Sequence, residues 1–424
     1  MQIRKFRYLI SIVVIVVILI ASIVFVTINN NTNFTKNEKQ ADNDHSKPVA
    51  NFSYFGNAVN DFSFKIFKQL YDENEGNIFI SPYSIFTALA MTYEGARGDT
   101  ANEMASVLSI QQDNISFHNY MKSLNDQLND KIFCNVSTAN ALWLNKDLRF
   151  LENYLDIIKN YYDGNSTNID FSNPEIAADI INRWVENKTN GLITDLLTKD
   201  NIDPFLTAMI LTNAIYFKGN WAIQFDPSNT TNRGFTLPTG NSIDVPTMSM
   251  VETYDYFNYT ETDDLQILEL PYSGNEYSMI IVLPKENDLS SVINSIDNND
   301  LSDWVGSFEE KKVDIYFPKF ELESKYSLKD ALIKLGMAKS FTGSADFSGI
   351  TTEYGLWIDD VIHKAYVKVN EEGTEAAAST ASVIVFTGIE PKLVFNVDHP
   401  FIFMIQHKDT GTILFMGSVG NPLE

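Results

Sequence analysis

Five histidines (His45, His118, His363, His399 and His407) and one cysteine, Cys134, are the side chains here best suited to act as base, nucleophile or metal ligand. None of the histidines stands in a His-Glu-x-x-His run, the spacing that sets two imidazoles on one helix face around zinc. Structural zinc needs clustered Cys and His, which the sequence lacks. There is no Gly-x-Ser-x-Gly elbow, no phosphate-cradling Gly-x4-Gly-Lys-Ser/Thr loop and no Gly-x-Gly-x-x-Gly turn. Cys134 sits in the apolar run KIFCNVS and reads as a small buried hydrophobe. Arg97-Gly98-Asp99 spells an adhesion tripeptide but reads as a turn after a helix. Nothing argues for an enzyme, and no cofactor or metal is expected.

One stretch has an unusual chemistry of another kind. Residues 371–391 read EEGTEAAASTASVIVFTGIEP. A two-glutamate turn leads into tiny residues, then into an apolar end, with glycine breaks at Gly373 and Gly388. The tiny residues imply close packing and the apolar end implies burial, yet the glycines imply an exposed loop. The segment reads as strand and loop at once.

The surrounding elements must explain that. The chain has 424 residues, 44% of them hydrophobic, enough for a large core. The net charge of −24 disfavours nucleic acid, because phosphate neutralisation needs a basic face. A lone cysteine makes no internal disulfide, so packing alone must hold the fold. Arg4, Lys5 and Arg7 precede an apolar run from Leu9 to Ile28. At about 1.5 Å per residue that run spans roughly 30 Å, a bilayer core. Residues 1–28 are therefore expected to be a membrane anchor in preference to a cleaved signal, with the chain beyond them on the extracellular side, anchored or secreted. Residues 29–50 are polar and read as a flexible linker. Asn33, Asn114, Asn165, Asn187 and Asn258 each begin an Asn-x-Ser/Thr triplet, a weak glycosylation signal in so Asn-rich a chain.

From residue 51 to 424 one mixed domain is expected. AVNDFSFKIFKQLYDENEG has helical apolar spacing at Val59, Phe62, Ile66, Phe67 and Leu70 and should end at Gly76. A helix after Ser81-Pro82 should carry Ile85, Leu89, Met91 and Leu108, and another should run from Pro174 to Gly191. The first half thus reads as mainly helical. The second half holds short β-branched and aromatic runs, among them TAMILTNAIYFKG, SMIIVLPKE, KVDIYFPKFELE, KAYVKVN, KLVFNV, FIFMIQHK and TILFMGSV. Their irregular connections predict α+β with mainly antiparallel sheets.

Six stretches, in order, resemble the serpin family: NIFISPYSIFTALAMTYEGARGDTANEM (77–104), LTNAIYFKGNWAIQFD (211–226), LELPYSGNEYSMIIVLP (268–284), VDIYFPKFELES (313–324), VIHKAYVKVNEEGTEAAAST (361–380) and DHPFIFMIQHKDTGTILFMGSVGNP (398–422). The resemblance covers about residues 51–424; the membrane run and linker are not part of the family pattern. It implies three sheets, eight or nine helices and an exposed reactive loop. It also implies a mechanism: a protease cuts the loop, forms an acyl-enzyme and is dragged along as the loop inserts into the large sheet. The partner would be a serine protease held covalently, and the inhibitor itself a monomer.

The segment suits that physics. At period two, Thr374, Ala376, Ala378, Thr380, Ser382, Ile384 and Phe386 share one face, narrow at first and then apolar. Glu375, Ala377, Ser379, Ala381 and Val383 share the other, which can face solvent. No proline lies between Gly373 and Glu390 to interrupt a ladder. The resemblance makes Glu371, Glu372, Gly373, Thr374, Glu375, Ala376, Ala377, Ala378, Ser379 and Thr380 the loop hinge. It makes Ser81, Ser84, Asn213 and His363 a polar shutter, Trp221 a residue of the breach above it, and Lys319 the partner of Glu371. Family spacing puts the cleaved bond at Thr387–Gly388, with Phe386 or Val385 as alternatives. No Arg or Lys lies between Gly373 and Pro391, so elastase-, subtilisin- or chymotrypsin-like targets are expected and trypsin-like ones are not. The region ahead of Cys134 is not basic, so no glycosaminoglycan site is expected. The rival readings are a non-inhibitory serpin that binds or chaperones, an inhibitor of papain-like cysteine proteases, an enzyme, and an adhesion protein using the Arg-Gly-Asp tripeptide.

Overall fold

The computed structural model describes residues 49–110, 114–128, 133–253, 255–352, 355–374 and 393–424. The expected anchor (9–28), most of the linker, and the loop residues 375–392 lie outside the described residues. Among the described residues no helix is long and apolar enough to cross a membrane.

Nine α-helices occur among them: α1 Val49–Glu73, α2 Pro82–Tyr93, α3 Gly98–Val107, α4 Asn114–Leu128, α5 Glu152–Ile157, α6 Pro174–Lys188, α7 Leu289–Ser295, α8 Asn298–Ser307 and α9 Lys329–Leu335. The apolar residues expected on α1 are all buried. The helix stops at Glu73, however, and Gly76 takes its left-handed φ three residues later. Ser81 accepts the Ser84 N–H and Asn173 accepts the Ile176 N–H, each ahead of a first-turn proline, so α2 and α6 begin where capping chemistry places them. The helix expected to run from Ser81 through Leu108 is in fact two. The chain breaks near Gly95, where a side chain would collide with Ile350 only 2.0 Å away. Arg97 is the N-cap of α3, so the Arg-Gly-Asp tripeptide opens a helix and is not a turn after one.

Seventeen strands occur among the described residues: β1 Ile78–Ile80, β2 Cys134–Asn145, β3 Asn165–Ile169, β4 Met209–Asn220, β5 Thr231–Thr236, β6 Ser242–Met250, β7 Phe257–Glu261, β8 Leu265–Pro271, β9 Tyr277–Pro284, β10 Glu309–Lys311, β11 Val313–Pro318, β12 Phe320–Ser327, β13 Asp360–Val369, β14 Gly373–Thr374, β15 Leu393–Asn396, β16 Phe401–His407 and β17 Thr412–Val419. They form a seven-stranded sheet (β1-β17-β16-β9-β8-β7-β10), a four-stranded sheet (β15-β11-β6-β5) and a six-stranded sheet (β12-β13-β14-β4-β2-β3). Among the described residues, only β11–β15, β13–β4 and β2–β3 pair in parallel. The expected α+β architecture with three mainly antiparallel sheets is thus in place. The helical first half expected above is interrupted by β2 and β3.

The six-stranded sheet is covered on both faces. Leu211, Ile215, Phe217, Val361, Ala365 and Val367 face the main core. Ile210, Ala214 and Ile362 face a second cluster, closed by Ala177, Ile181 and Val185 of α6. Alternate residues of each strand therefore enter different cores, as a two-residue period requires.

Candidate functional site

The site is a seam. β13 and β4 run parallel and pair from Asp360–Ile210 up to Tyr366–Tyr216. Above that level they part, and β14 lies between them, antiparallel to both, with Thr374 beside Val369 and Gly219. A strand that runs opposite to both members of a parallel pair gains antiparallel neighbours on both sides.

Local chemistry fixes the upper end. Gly373 has φ +153°, and a Cβ there would lie 2.1 Å from the Gly219 carbonyl oxygen, so only glycine fits. The Asn370 side chain accepts the backbone N–H groups of Glu372 and Gly373, closing a tight turn. Trp221 donates its backbone N–H to the Glu372 carbonyl at 2.9 Å and its indole N–H to the Asn370 carbonyl at 3.0 Å. The indole stacks on Tyr272, 4.6 Å between centroids. The hydroxyls of Tyr272 and the fully buried Thr374 pair at 2.7 Å. Glu371 accepts from Lys319 at 2.8 Å and from the Thr230 hydroxyl at 2.7 Å. Burial pushes the Glu371 carboxyl up, but those two donors outweigh it and hold it below the usual range.

Midway down the seam the two strands are joined by side chains. Ser81, Ser84, Asn213 and His363 are fully buried and in mutual contact. The Ser81 N–H donates to His363 Nε2 at 3.0 Å, so the imidazole proton sits on Nδ1, which donates to Asn213 Oδ1 across the seam. Asn213 Nδ2 donates to Ser84 Oγ and to Asn140 Oδ1, each at 2.6 Å. The Ser81 hydroxyl donates to the Leu414 carbonyl of β17, tying the seam to the seven-stranded sheet. Burial pushes the His363 pKa down to about 3, so the ring is neutral. A network with all its members satisfied in so dry a place is stiff and costly to break in part.

The structure brings together every described residue singled out from the sequence for this region. Trp221, Glu371, Lys319 and the start of the hinge gather at the top, with Ser81, Ser84, Asn213 and His363 below. Glu375, Ala376, Ala377, Ala378, Ser379, Thr380, Val385, Phe386, Thr387 and Gly388 lie outside the described residues. Sequence reasoning missed Asn140, Tyr272, Asn370 and Thr230. Asn140 carried a signal, a polar residue inside the apolar run ALWL and its flanks; the other three are legible only from contacts. Cys134 is buried beside Gly219, and burial followed by the nearby Glu276 charge pushes its thiol up to about 12, which makes it inert. Among the described residues no group of three His, Cys, Asp or Glu is placed to hold a metal ion.

Residues 57–422 match the family model described as Serpin (serine protease inhibitor). An uncharacterised serpin-like protein of Thermococcus kodakarensis is 43% identical over 89% of this chain and 86% of its own length. A leukocyte elastase inhibitor of Xenopus laevis is 38% identical over 86% of this chain and 98% of its own length. The solved structure of human thyroxine-binding globulin, in complex with thyroxine, superposes with a TM-score of 0.81 at 31% identity, covering 88% of this chain and all of that one. With β14 seated between parallel strands and a family match running over residues 57–422, the chain belongs to the serpin family.

Proposed function

We propose that the protein is a suicide-substrate inhibitor of serine endopeptidases, acting by loop cleavage and insertion. The observation that carries this reading is β14: Gly373 and Thr374 already lie in the seam, hydrogen-bonded to both flanks. The flanks need no sliding. Continuing the register from Thr374 sets Ala376 opposite Val367 and Phe217, Ala378 opposite Ala365 and Ile215, and Thr380 opposite His363 and Asn213. Ala365 with Ile215 and His363 with Asn213 are already partners in the closed β13–β4 ladder, and Val367 and Phe217 follow directly above it in the same register. Insertion therefore needs only that the strands move apart, from about 4.8 Å to about twice that.

The side chains suit their positions. Thr374 already points into the main core, so Ala376, Ala378 and Thr380 follow it there. Small residues enter a close-packed interior at least cost. Thr380 brings a hydroxyl between His363 and Asn213 as their direct bond parts. On the other face Glu375 falls between Lys218 and Lys368. Ser379 and Ala381 fall at the levels of Ala214 and Ile362, beneath α6, so small size matters there too, and solvent is not what they meet.

The chemistry follows. A protease serine hydroxyl attacks the Thr387 carbonyl, an ester forms, and the Gly388 amine leaves with the proton relayed by the protease base. Water would normally cleave that ester. Insertion draws the ester and the protease down the seam first. The Val385-Phe386-Thr387 neighbourhood favours elastase-, subtilisin- or chymotrypsin-like targets. The runner-up is a carrier role, which the shared fold of thyroxine-binding globulin keeps in view. We further propose that residues 9–28 anchor the inhibitor outside a membrane; recovery of the full chain in the soluble fraction of lysed cells would remove that part.

The test is to incubate residues 50–424 with pancreatic elastase, chymotrypsin, subtilisin and trypsin. A denaturation-resistant band at the summed mass, with a C-terminal peptide beginning at Gly388, is expected from at least one of the first three. Clean cleavage with no such band would leave a serpin fold without the inhibitory activity.

A further inference from the structure

We infer that His399 is a doubly protonated ring that fastens the end of β15 to the end of β9, and that loss of one proton opens this clasp and loosens β15. The inference stands apart from the inhibitor reading. Both ring nitrogens face acceptors: Nδ1 lies 2.8 Å from Asp398 Oδ1, and Nε2 lies 2.6 Å from the Pro284 carbonyl oxygen. A carbonyl has no proton to give, and neither has a carboxylate that is half open to water, as Asp398 is. A neutral imidazole carries one N–H and one lone pair, so it would satisfy one of these oxygens and turn a lone pair on the other. The imidazolium donates to both. Other rings are placed differently. His363 accepts the Ser81 N–H, His407 meets the Thr410 hydroxyl, and His118 meets the Glu94 carboxylate through Nε2.

The ring is one link in a chain between two sheets. Asn396, the last residue of β15, donates its side-chain N–H to Asp398 Oδ2 at 2.6 Å. Asp398 Oδ1 accepts from His399, which donates onward to Pro284, the last residue of β9. Thr236 of β5 donates its N–H to the Asp398 carbonyl at 2.7 Å. Among the described residues β15 is four residues long and has one strand neighbour, β11, so its fastening depends on such end contacts. Burial opposes the charge on His399, but the hydrogen bonds to Asp398 and Pro284 and the charges of Asp398 and Glu286 outweigh it and hold the ring's pKa above its ordinary 6.5. Lys285, next to Pro284, is engaged with Glu261 of β7. On β11, Asp314 accepts the Glu252 N–H, and Tyr316 stacks with Arg233 of β5. Tyr277 of β9 and His407 of β16 pair at the far ends of their strands. Because the folded pKa is the higher one, the clasp is complete below pH 6.5 and is lost as pH rises through the raised value.

The test uses the full chain with nitrogen-15 in its histidine rings. The His399 signals, assigned by their loss in His399→Arg, should show a proton on each nitrogen and titrate above 6.5. Amide exchange is then followed from about pH 6 to about pH 9, with each rate divided by its intrinsic rate at that pH. The reporters are Val397, whose N–H donates to the Tyr316 carbonyl, and Thr236, whose N–H donates to Asp398. Their opening should rise by up to about tenfold per pH unit between 6.5 and the ring's own pKa, then level off, while Ile281 inside β9 should not follow. His399→Arg, a cation throughout, should keep both reporters closed at every pH, and His399→Lys gives the same comparison if the larger side chain does not fit. A ring with one N–H, or one that titrates at or below 6.5, overturns the imidazolium. A ring that titrates high while exchange at Val397 and Thr236 stays flat with pH overturns the clasp. Opening that remains pH-linked in the permanently cationic variant belongs to another group and overturns the role of His399.

Discussion

Glu371 and His363 each hold one level of the seam by a different means. Glu371 is an ionised carboxylate braced by Lys319 and Thr230. Glu371→Lys sets two cations face to face and should cost roughly 1–3 kcal/mol, between the values for exposed and buried pairs. Its expected outcome is loop–sheet polymers on mild heating, read by size-exclusion chromatography; a variant that stays monomeric would sink the idea. Because the Glu371 pKa is lowered, its contribution is present above its ordinary value of 4.5 and fades as pH falls through the depressed one. His363 is neutral, with burial holding its pKa near 3 against an ordinary 6.5. The unfolded chain therefore takes up a proton below pH 6.5 that the folded chain refuses. His363 stability is complete above pH 6.5 and declines towards pH 3, by about 1.4 kcal/mol per pH unit. Burial lowers His407 as well, so the check is a difference: urea unfolding between pH 7 and 5 should be less pH-dependent in His363→Asn than in wild type. Equal slopes would exclude His363. These residues could be named from the sequence because they sit in recognisable runs. Tyr272 and Thr230 could not, since their roles come from partners 102 and 141 residues away.

At the scale of elements, β2 escaped sequence reading because it is buried on nearly its whole length and shows no alternation. The break between α2 and α3 escaped because Gly95 is forced by Ile350, far along the chain. The start of the segment singled out from the sequence, Gly373–Thr374, is seen as β14, while its narrow residues from 375 on lie outside the described residues. In the inhibitor reading, insertion in the register of β14 would set Glu375 between Lys218 and Lys368, so Glu375→Lys should slow insertion and divert the reaction towards simple cleavage. Added salt should recover much of the loss, because these groups lie near solvent where screening acts. Stoichiometry of inhibition measured at low and high ionic strength decides it; a salt-independent defect would point to bulk and not to charge.

Across the whole molecule, six family stretches made the architecture legible, but the sheet order was not, because pairings such as β1 with β17 join opposite ends of the chain. In the inhibitor reading the seam between β13 and β4, closed below β14, opens to take one more strand. Cleavage near Gly388 should fill it. About a dozen added hydrogen bonds at about 1 kcal/mol each imply a rise in thermal midpoint of roughly 10–15 °C for a chain of this size. Calorimetry before and after nicking provides the test, and an unchanged midpoint would mean the place stays unfilled.

Because the pairs between Asp360–Ile210 and Tyr366–Tyr216 are closed while only the top is parted, a loop that inserts as proposed above would have to enter in single file. No residue is tried against its slot until all those above it have passed. The harm done by an ill-fitting residue should therefore fall with its place in the queue. A misfit at Thr374 would stop the process before the protease has moved, one at Thr380 would strand it halfway, and one at Ile384 would act when the journey is nearly over. The seam thus ranks its own mutations, from those that abolish trapping to those that merely shorten it.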